Sequence, residues 1–293
     1  MTSAFANLQK SIYSCASAKI SGTVRSITGM TLTVSGLEAM AAIGSQCRVH
    51  TPAGHIDGEV VSAQGSDLCV LPFGTWEGVS VGNTVELIEH DDMVSPDDSW
   101  IGTVVDALGR PLTQYTRARR PRRKTRFRAN PPGAFDRKKV GEKLETQIKC
   151  IDIFTPICRG QRMGVFAGSG VGKSTMMAML ARNTDADVIV IGLIGERGRE
   201  VQQFIQEDLG EEGMARAVVV VSTGDEAPLL RKQAALTTTA IAEYFKSTGK
   251  QVLLLLEADD DVTIAAARDC AESDAITLCL VPPAHPRTKP KAC

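Results

Sequence analysis

The stretch Ala167-Gly168-Ser169-Gly170-Val171-Gly172-Lys173-Ser174 decides the fold of this chain. It follows an apolar run at residues 164–166 and precedes a helix-forming run that begins at Thr175. Strand, glycine-rich loop and helix, in that order, form a phosphate-binding loop, in which backbone N–H groups converge on phosphate oxygens beside the positive end of the helix dipole. Ala167 stands where the strict pattern has glycine, and it is small enough to allow the turn. The sequence therefore predicts a nucleoside triphosphate site.

Individual residues of this loop have predicted roles. Lys173 would bind the β- and γ-phosphates of the nucleotide, and the hydroxyl of Ser174 would hold Mg²⁺. The alternative interpretation, a glycine-rich turn without a ligand, is disfavoured by the Lys-Ser pair and by both flanking runs. The residues predicted to bind nucleotide form one run, Ala167, Gly168, Ser169, Gly170, Val171, Gly172, Lys173, Ser174 and Thr175.

Length and composition restrict the class of protein only broadly. The chain has 293 residues, enough for one large domain or two ordinary ones. Its formal net charge of −1 indicates neither nucleic acid nor an anionic membrane as a partner. No apolar run has the length of a membrane span, and residues 1–10 lack the layout of a signal peptide. Eight scattered cysteines without a Cys-x-x-Cys pair favour free thiols. We therefore expect a cytoplasmic protein.

The pattern along the chain predicts two domains. Residues 1–16 form a leader, and residues 17–90 contain short β-rich runs between glycine turns, which predicts a small N-terminal β-barrel. Phe73 and Trp76 are the only aromatic residues of these runs, so packing or subunit contact is favoured over nucleic-acid binding. Residues 91–256 alternate strands and helices, which predicts an α/β fold with a mostly parallel sheet covered on both faces. A ligand should then lie at the carboxyl ends of the strands.

Two acidic residues follow predicted buried strands. Glu196 follows the strand at residues 188–193, where a base would orient water beside the γ-phosphate. Its alternative role is that of an acidic residue favoured by the dipole at a helix N-terminus. Glu257 follows the strand at residues 252–256, where a second acid would support the Mg²⁺ shell.

Three motifs together resemble the flagellum-specific ATP synthases, the export ATPases of the flagellar type III secretion apparatus. These P-loop NTPases of the RecA/F1-like class are related to the rotary ATP synthase α and β subunits, and the injectisome export ATPases are close cousins. The resemblance extends from about residue 17 to about residue 256, and Gly198, where the rotary β subunit has Thr, favours the export branch. The motifs are the loop at residues 167–174, Gly192-Leu193-Ile194-Gly195-Glu196-Arg197-Gly198-Arg199-Glu200-Val201 and Cys158-Arg159-Gly160-Gln161-Arg162-Met163-Gly164.

The resemblance implies an ATPase that couples ATP hydrolysis to the unfolding and secretion of substrate proteins, with ATP and Mg²⁺ as cofactors. It implies catalytic roles for Lys173, Glu196 and Arg197, and Mg²⁺ binding by Ser174, with Glu257 standing where the family has Asp. It further implies a homo-hexamer that works with the export apparatus, its stator and chaperone–substrate complexes. Such a protein is peripheral to the inner face of the cytoplasmic membrane and is not expected to bind nucleic acid.

Two stretches depart from the family pattern. The run from Arg117 to Arg128 is densely basic, and its interpretations are nucleic-acid contact, a solvated loop or out-of-frame translation. Residues 257–293 form a tail rich in alanine, cysteine and proline. We hypothesise a compensated slip of the reading frame across residues 113–128 and an uncompensated slip after about residue 256. The coding DNA tests this hypothesis, which fails if no single-base change restores the family pattern.

The chain also ends well short of the family's usual length. The resemblance therefore predicts that later sheet strands, the adenine-contacting aromatic residue, the arginine finger and a C-terminal helical domain are missing. We expect an incomplete ATPase domain that binds ATP weakly at best. Two alternatives stay open, namely a non-catalytic nucleotide-binding subunit and a hexameric nucleic-acid-dependent ATPase.

Overall fold

The computed structural model describes residues 19–88, 93–112, 125–127, 135, 139–165 and 171–258 and the backbone of Ile276–Val281. The chain divides into two compact units, residues 1–91 and 92–293. The finer domain boundaries inferred from the sequence stay predictions. Among the helices that the structure describes, none combines the length and apolarity needed to cross a bilayer.

The first unit is a closed antiparallel β-barrel of six strands. These are β1 (Ser21–Thr28), β2 (Thr31–Ser35), β3 (Gln46–Thr51), β4 (Gly54–Gln64), β5 (Asp67–Pro72) and β6 (Thr84–Ile88). They follow one another around the barrel in the order β1-β2-β5-β4-β3-β6, and β6 pairs with β1 to close it. The small barrel predicted from the glycine-punctuated strands is therefore confirmed.

Alternate residues of the barrel strands fill its interior. Leu32 and Val34 on β2 and Leu68 and Val70 on β5 are buried, whereas the residues between them are partly exposed. This period of two is typical of a sheet with one buried face. Cys47 lies in the same core, and its burial, together with the charge of a nearby aspartate, raises the pKa of its thiol to about 12. The thiol therefore stays protonated and unreactive at neutral pH.

The second unit is built on a parallel sheet. The strands of this unit are β7 (Met93–Val94), β8 (Thr103–Val105), β9 (Thr125–Arg126), β10 (Arg162–Gly164), β11 (Val188–Ile194), β12 (Ala217–Ser222), β13 (Val252–Ala258) and β14 (Ile276–Val281). Six of these strands pair in the order β10-β14-β13-β11-β12-β8, and β7 pairs with β9 in a separate antiparallel sheet. β11, β12 and β13 are buried along their whole lengths, which explains their continuous apolar sequences.

Helices cover both faces of this sheet. They are α1 (Lys149–Phe154), α2 (Lys173–Asn183), α3 (Gly198–Gln203), a π-helical segment (Phe204–Leu209), α4 (Gly210–Met214) and α5 (Pro228–Ser247). α2 packs in one apolar cluster with the odd-numbered residues of β11 and β13, whereas α5 packs with the even-numbered ones. The predicted fold class, an α/β sheet that a small β-barrel precedes in the chain, is confirmed.

Ordered pieces of structure occur in both stretches that depart from the family pattern. Within the basic run at residues 117–128, β9 pairs with β7, and Phe127 is buried in the same apolar cluster as α5. Within the tail at residues 257–293, β14 pairs with β13 and β10. Residues 113–124 and 259–275 lie outside the described residues. The reading-frame hypothesis stays a prediction about the coding DNA.

Glu243 on α5 gives the stability of the second unit a pH dependence. Burial raises the pKa of its carboxyl from 4.5 to about 7, and Lys246 partly opposes this rise. Because the folded state binds this proton more tightly than the unfolded chain, the stabilisation is fully present below pH 4.5 and is lost as the pH rises through 7. We expect Glu243→Gln to raise the free energy of unfolding at pH 8 by about 2 kcal/mol. Urea denaturation at pH 4 and pH 8 measures this, and an equal pH dependence in both proteins would contradict it.

Candidate nucleotide site

The helix after the glycine-rich loop begins where the sequence predicts. α2 starts at Lys173, and Gly172 precedes it with φ of 92°, a left-handed conformation that favours glycine. The Gly172 carbonyl accepts a hydrogen bond from the Met176 N–H at 3.0 Å, which closes the first helical turn. Lys173 and Ser174 are half-buried and Thr175 is exposed. Lys173 and Ser174 therefore stand at the positive end of the helix dipole.

Only part of the predicted loop belongs to the described residues. Val171 and Gly172 are exposed. The other loop residues, Ala167, Gly168, Ser169 and Gly170, lie outside the described residues, and their contacts with phosphate stay predictions.

Glu196 lies just beyond β11 in a loop that neighbouring backbone fixes in place. Gly195, with φ of 88°, donates its N–H to the Ser222 carbonyl at 2.8 Å, and the Glu196 carbonyl accepts the Gly224 N–H at 3.0 Å. A Cβ atom at Gly224 would lie 2.6 Å from the Gly195 carbonyl oxygen, so a side chain there would displace this loop. The half-buried Glu196 is therefore anchored to the segment after β12. Sequence reasoning missed Gly224, because its partner is distant in the chain.

Arg197 occupies the position before α3 with its side chain in solvent. That side chain is 87% exposed, and its guanidinium lies 4.0 Å from the Glu200 carboxylate. An exposed ion pair at this distance contributes little to stability. The pair therefore does little to fix Arg197, and the role of this arginine beside the γ-phosphate stays a prediction.

Glu257 is a buried carboxylate near the carboxyl end of β13. Its side chain is 4% exposed. Since Leu253 and Leu255 pack in the cluster that contains α2, the alternation of the strand places Glu257 on the α2 face of the sheet. Glu257 pairs in register with Leu193 on β11. Glu196 comes three residues after Leu193 and therefore lies beyond Glu257, towards the carboxyl ends of the strands. Both acids thus belong to the edge at which the phosphate loop begins.

The register of the sheet shows where β10, the strand before the phosphate loop, ends relative to Glu257. Gly164 on β10 pairs with Leu280 on β14, and Leu280 pairs with Leu256 on β13. Glu257 therefore lies one residue beyond the level at which β10 ends. Since neighbouring strands are about 4.8 Å apart, the backbones of β10 and β13 are separated by about 10 Å. The structure thus brings the entry to the loop and Glu257 to one end of the sheet.

The predicted Mg²⁺ ligands suit that cation chemically. Mg²⁺ takes oxygen ligands, keeps several waters, and is commonly held by one or two protein groups together with substrate phosphates. The hydroxyl of Ser174 and the carboxylate of Glu257 are such groups. In the described part of the chain, no cluster of three or more His, Cys, Asp or Glu side chains is arranged to hold a metal ion. With Ser174 and Glu257 as protein ligands, phosphate oxygens and waters would complete the coordination shell.

Comparison with known proteins shows which family the nucleotide-binding region resembles. The model of the ATP synthase alpha/beta family nucleotide-binding domain matches residues 147–271. The flagellum-specific ATP synthases of Caulobacter vibrioides and Agrobacterium fabrum are 39% and 41% identical to the chain, over 81% and 80% of its length. Residues 147–271 thus resemble the nucleotide-binding domain of the ATP synthase alpha/beta family. The chain spans about half the length of these curated relatives, 54% and 50% respectively.

A solved structure of an export ATPase is also similar to the chain. The assembled ATPase EscN, in complex with its central stalk EscO from the enteropathogenic E. coli type III secretion system, matches the chain with a TM-score of 0.77 and 28% identity. The match covers 90% of this chain and 71% of that chain. The resemblance to flagellum-specific ATP synthases is therefore confirmed. The family model also extends to residue 271, beyond the point where the sequence motifs ended.

Proposed function

We propose that this chain is an ATP-hydrolysing motor subunit of flagellar type III protein export. The observation that carries the proposal is the placement of Glu196 and Glu257 at the end of the sheet where the phosphate loop leads into α2. Two carboxylates beside a phosphate-binding loop support hydrolysis of a nucleoside triphosphate. The names of the relatives, flagellum-specific ATP synthase and the type III secretion ATPase EscN, support the export system.

Each residue has a distinct task in the proposed reaction. Lys173 would bind the β- and γ-phosphates and offset their charge, and Arg197 would act beside the γ-phosphate. Glu196 would orient the attacking water and accept its proton. Ser174 and Glu257 would hold Mg²⁺, which when bound neutralises phosphate charge. The backbone hydrogen bonds on either side of Glu196 fix the position from which its carboxylate would act.

The proposed assembly is a homo-hexameric ring. The relative EscN is described as assembled and in complex with a central stalk, which supports a ring built around such a partner. We propose further contacts with the export apparatus, its stator and chaperone–substrate complexes. The corresponding location is the cytoplasm, at the inner face of the membrane. Nucleic acid is not a proposed partner.

Glu196→Gln tests the proposed reaction, because it removes the carboxylate while it keeps the shape of the side chain. We expect phosphate release from ATP to fall by about 10² to 10⁴, with the ATP dissociation constant changed by less than about threefold. Glu207→Gln, at an exposed site on the π-helical segment, is the matched control and should keep the wild-type rate.

Two results would contradict the proposal. Equal turnover in wild type and Glu196→Gln would remove Glu196 from the reaction. ATP binding without hydrolysis in the wild-type chain would make it a non-catalytic nucleotide-binding subunit.

A further inference from the structure

The strand that leads into the phosphate loop depends on one neighbour. Residues 162–164 of β10 pair in parallel with residues 278–280 of β14. β14 pairs on its other side with β13, from Val252 opposite Ile276 to Glu257 opposite Val281. Since β10 is the edge strand of the sheet, β14 is its only strand partner within the described residues. The backbone pairing of β10 with the rest of the sheet therefore passes through β14.

Side-chain packing holds β10 less than its backbone pairing does. The strand has three residues, of which Arg162 and Gly164 are exposed. Met163 is half-buried and packs, with Val165, against the cluster that contains α2. A strand this short has few contacts to replace its ladder of hydrogen bonds. Loss of β14 would therefore leave the entry to the loop free to move relative to β13.

β14 also fixes a spacing that matters for the proposed site. It lies between β10 and the strand that carries Glu257, and its register with both is unbroken over residues 278–280. A change in either pairing would shift Glu257 along or away from the loop. A one-residue slip amounts to about 3.3 Å along the strand. Such a displacement exceeds the tolerance of a preorganised site, which is about 0.5 Å.

We propose that residues 276–281 are a positioning element of the nucleotide site, which holds β10, the strand before the phosphate loop, in a fixed register and at a fixed distance from β13 and its Glu257. This segment belongs to the tail to which sequence reasoning assigned no structure. The proposal rests on the proposed function where it concerns ATP. The pairing of β14 with β10 can be tested without nucleotide, so the positioning role of β14 and the proposed ATPase function can fail separately.

Leu280→Pro tests the element, because proline lacks the N–H and its ring is incompatible with a strand that is paired on both sides. We expect amide hydrogen exchange at residues 162–164 to accelerate about tenfold or more, whereas exchange in the strands of the N-terminal β-barrel should be unchanged. The ATP dissociation constant should rise about tenfold or more, whereas the volume-conserving control Leu280→Ile, which keeps the N–H, should leave both quantities at their wild-type values. Ala284→Pro, beyond β14 and next to two natural prolines, should change neither.

A second measurement on the wild-type chain keeps the proposal falsifiable if Leu280→Pro does not fold. Exchange at residues 276–281 should already be slow without nucleotide, and ATP should slow it further by about threefold, together with residues 162–164. A strand with a purely structural role would exchange slowly without nucleotide, but ATP would not slow its exchange further. Fast exchange at residues 276–281, or unchanged exchange at residues 162–164 in Leu280→Pro, overturns the proposal. Slow exchange in both segments without any ATP binding overturns the proposed function and limits β14 to a structural role.

Discussion

Lys173→Ala is expected to weaken ATP binding about a hundredfold and to abolish measurable hydrolysis. Hydrogen bonds to charged groups contribute about 1.5–3 kcal/mol each, and a loss near 3 kcal/mol corresponds to about a hundredfold in the dissociation constant. The dipole of α2 would still attract phosphate, but its effect of about 0.3–1 kcal/mol is too small to compensate. Titration calorimetry with ATP and a phosphate-release assay measure the two effects.

Lys149→Ala is a matched control for this substitution. Lys149 is also the first residue of a helix, α1, and it is exposed. Its removal deletes the same charge at an equivalent helical position without touching the phosphate loop, so ATP affinity should be unchanged. Lys173→Arg keeps the charge but replaces a compact ammonium by a planar guanidinium, and we expect it to restore binding more than hydrolysis. Wild-type affinity in Lys173→Ala would show that nucleotide does not bind at this loop.

Phe245→Ala is expected to lower the free energy of unfolding of the second unit by about 3–5 kcal/mol, the usual cost of deleting a buried aromatic ring. Phe245 is fully buried on α5. Its ring meets Tyr244 edge-on, with the ring centroids 5.2 Å apart, and the Lys250 ammonium lies 5.1 Å from its centroid. The deletion therefore removes a cation–π contact as well as apolar contacts.

Phe154→Ala is the control for the core substitution. Phe154 ends α1 and is 80% exposed, so the same truncation there should change the free energy of unfolding by less than about 0.5 kcal/mol. Urea denaturation with a constant slope m measures both effects. Equal stability of the two variants would show that the α5 side of the sheet is not closely packed.

Local sequence was sufficient to predict the centre of the second unit. β11, β12 and β13 are buried on both faces, so their apolar runs mark them without ambiguity. The start of α2 follows from Gly172 and Lys173, because the phosphate-loop pattern specifies both the left-handed residue and the helix after it. Glu196 and Glu257 could be assigned to one edge, since parallel strands present their carboxyl ends together.

Features that depend on distant partners could not be predicted in the same way. Gly224 contacts the loop of Glu196 only after β11 and β12 have paired. Phe127 lies within an arginine-rich run, and composition alone does not show that it packs against α5. β14 is a run of six residues, apolar except for Thr277, that ends before Pro282, and this pattern was a usable strand signal. Its position between β10 and β13 depends on pairing with strands that are distant in the sequence, and local strand propensity does not encode such pairing.

The strand order also determines when each unit can be completed during translation. All strands of the barrel lie between Ser21 and Ile88, so the barrel can close early. β10 leaves the ribosome long before β14, and until then it has no strand partner among the described residues. At about 5–20 residues per second, synthesis from Gly164 to Val281 takes roughly 6–23 s. Throughout that interval β10 lacks β14, its strand partner among the described residues, and an exposed strand edge of this kind favours aggregation.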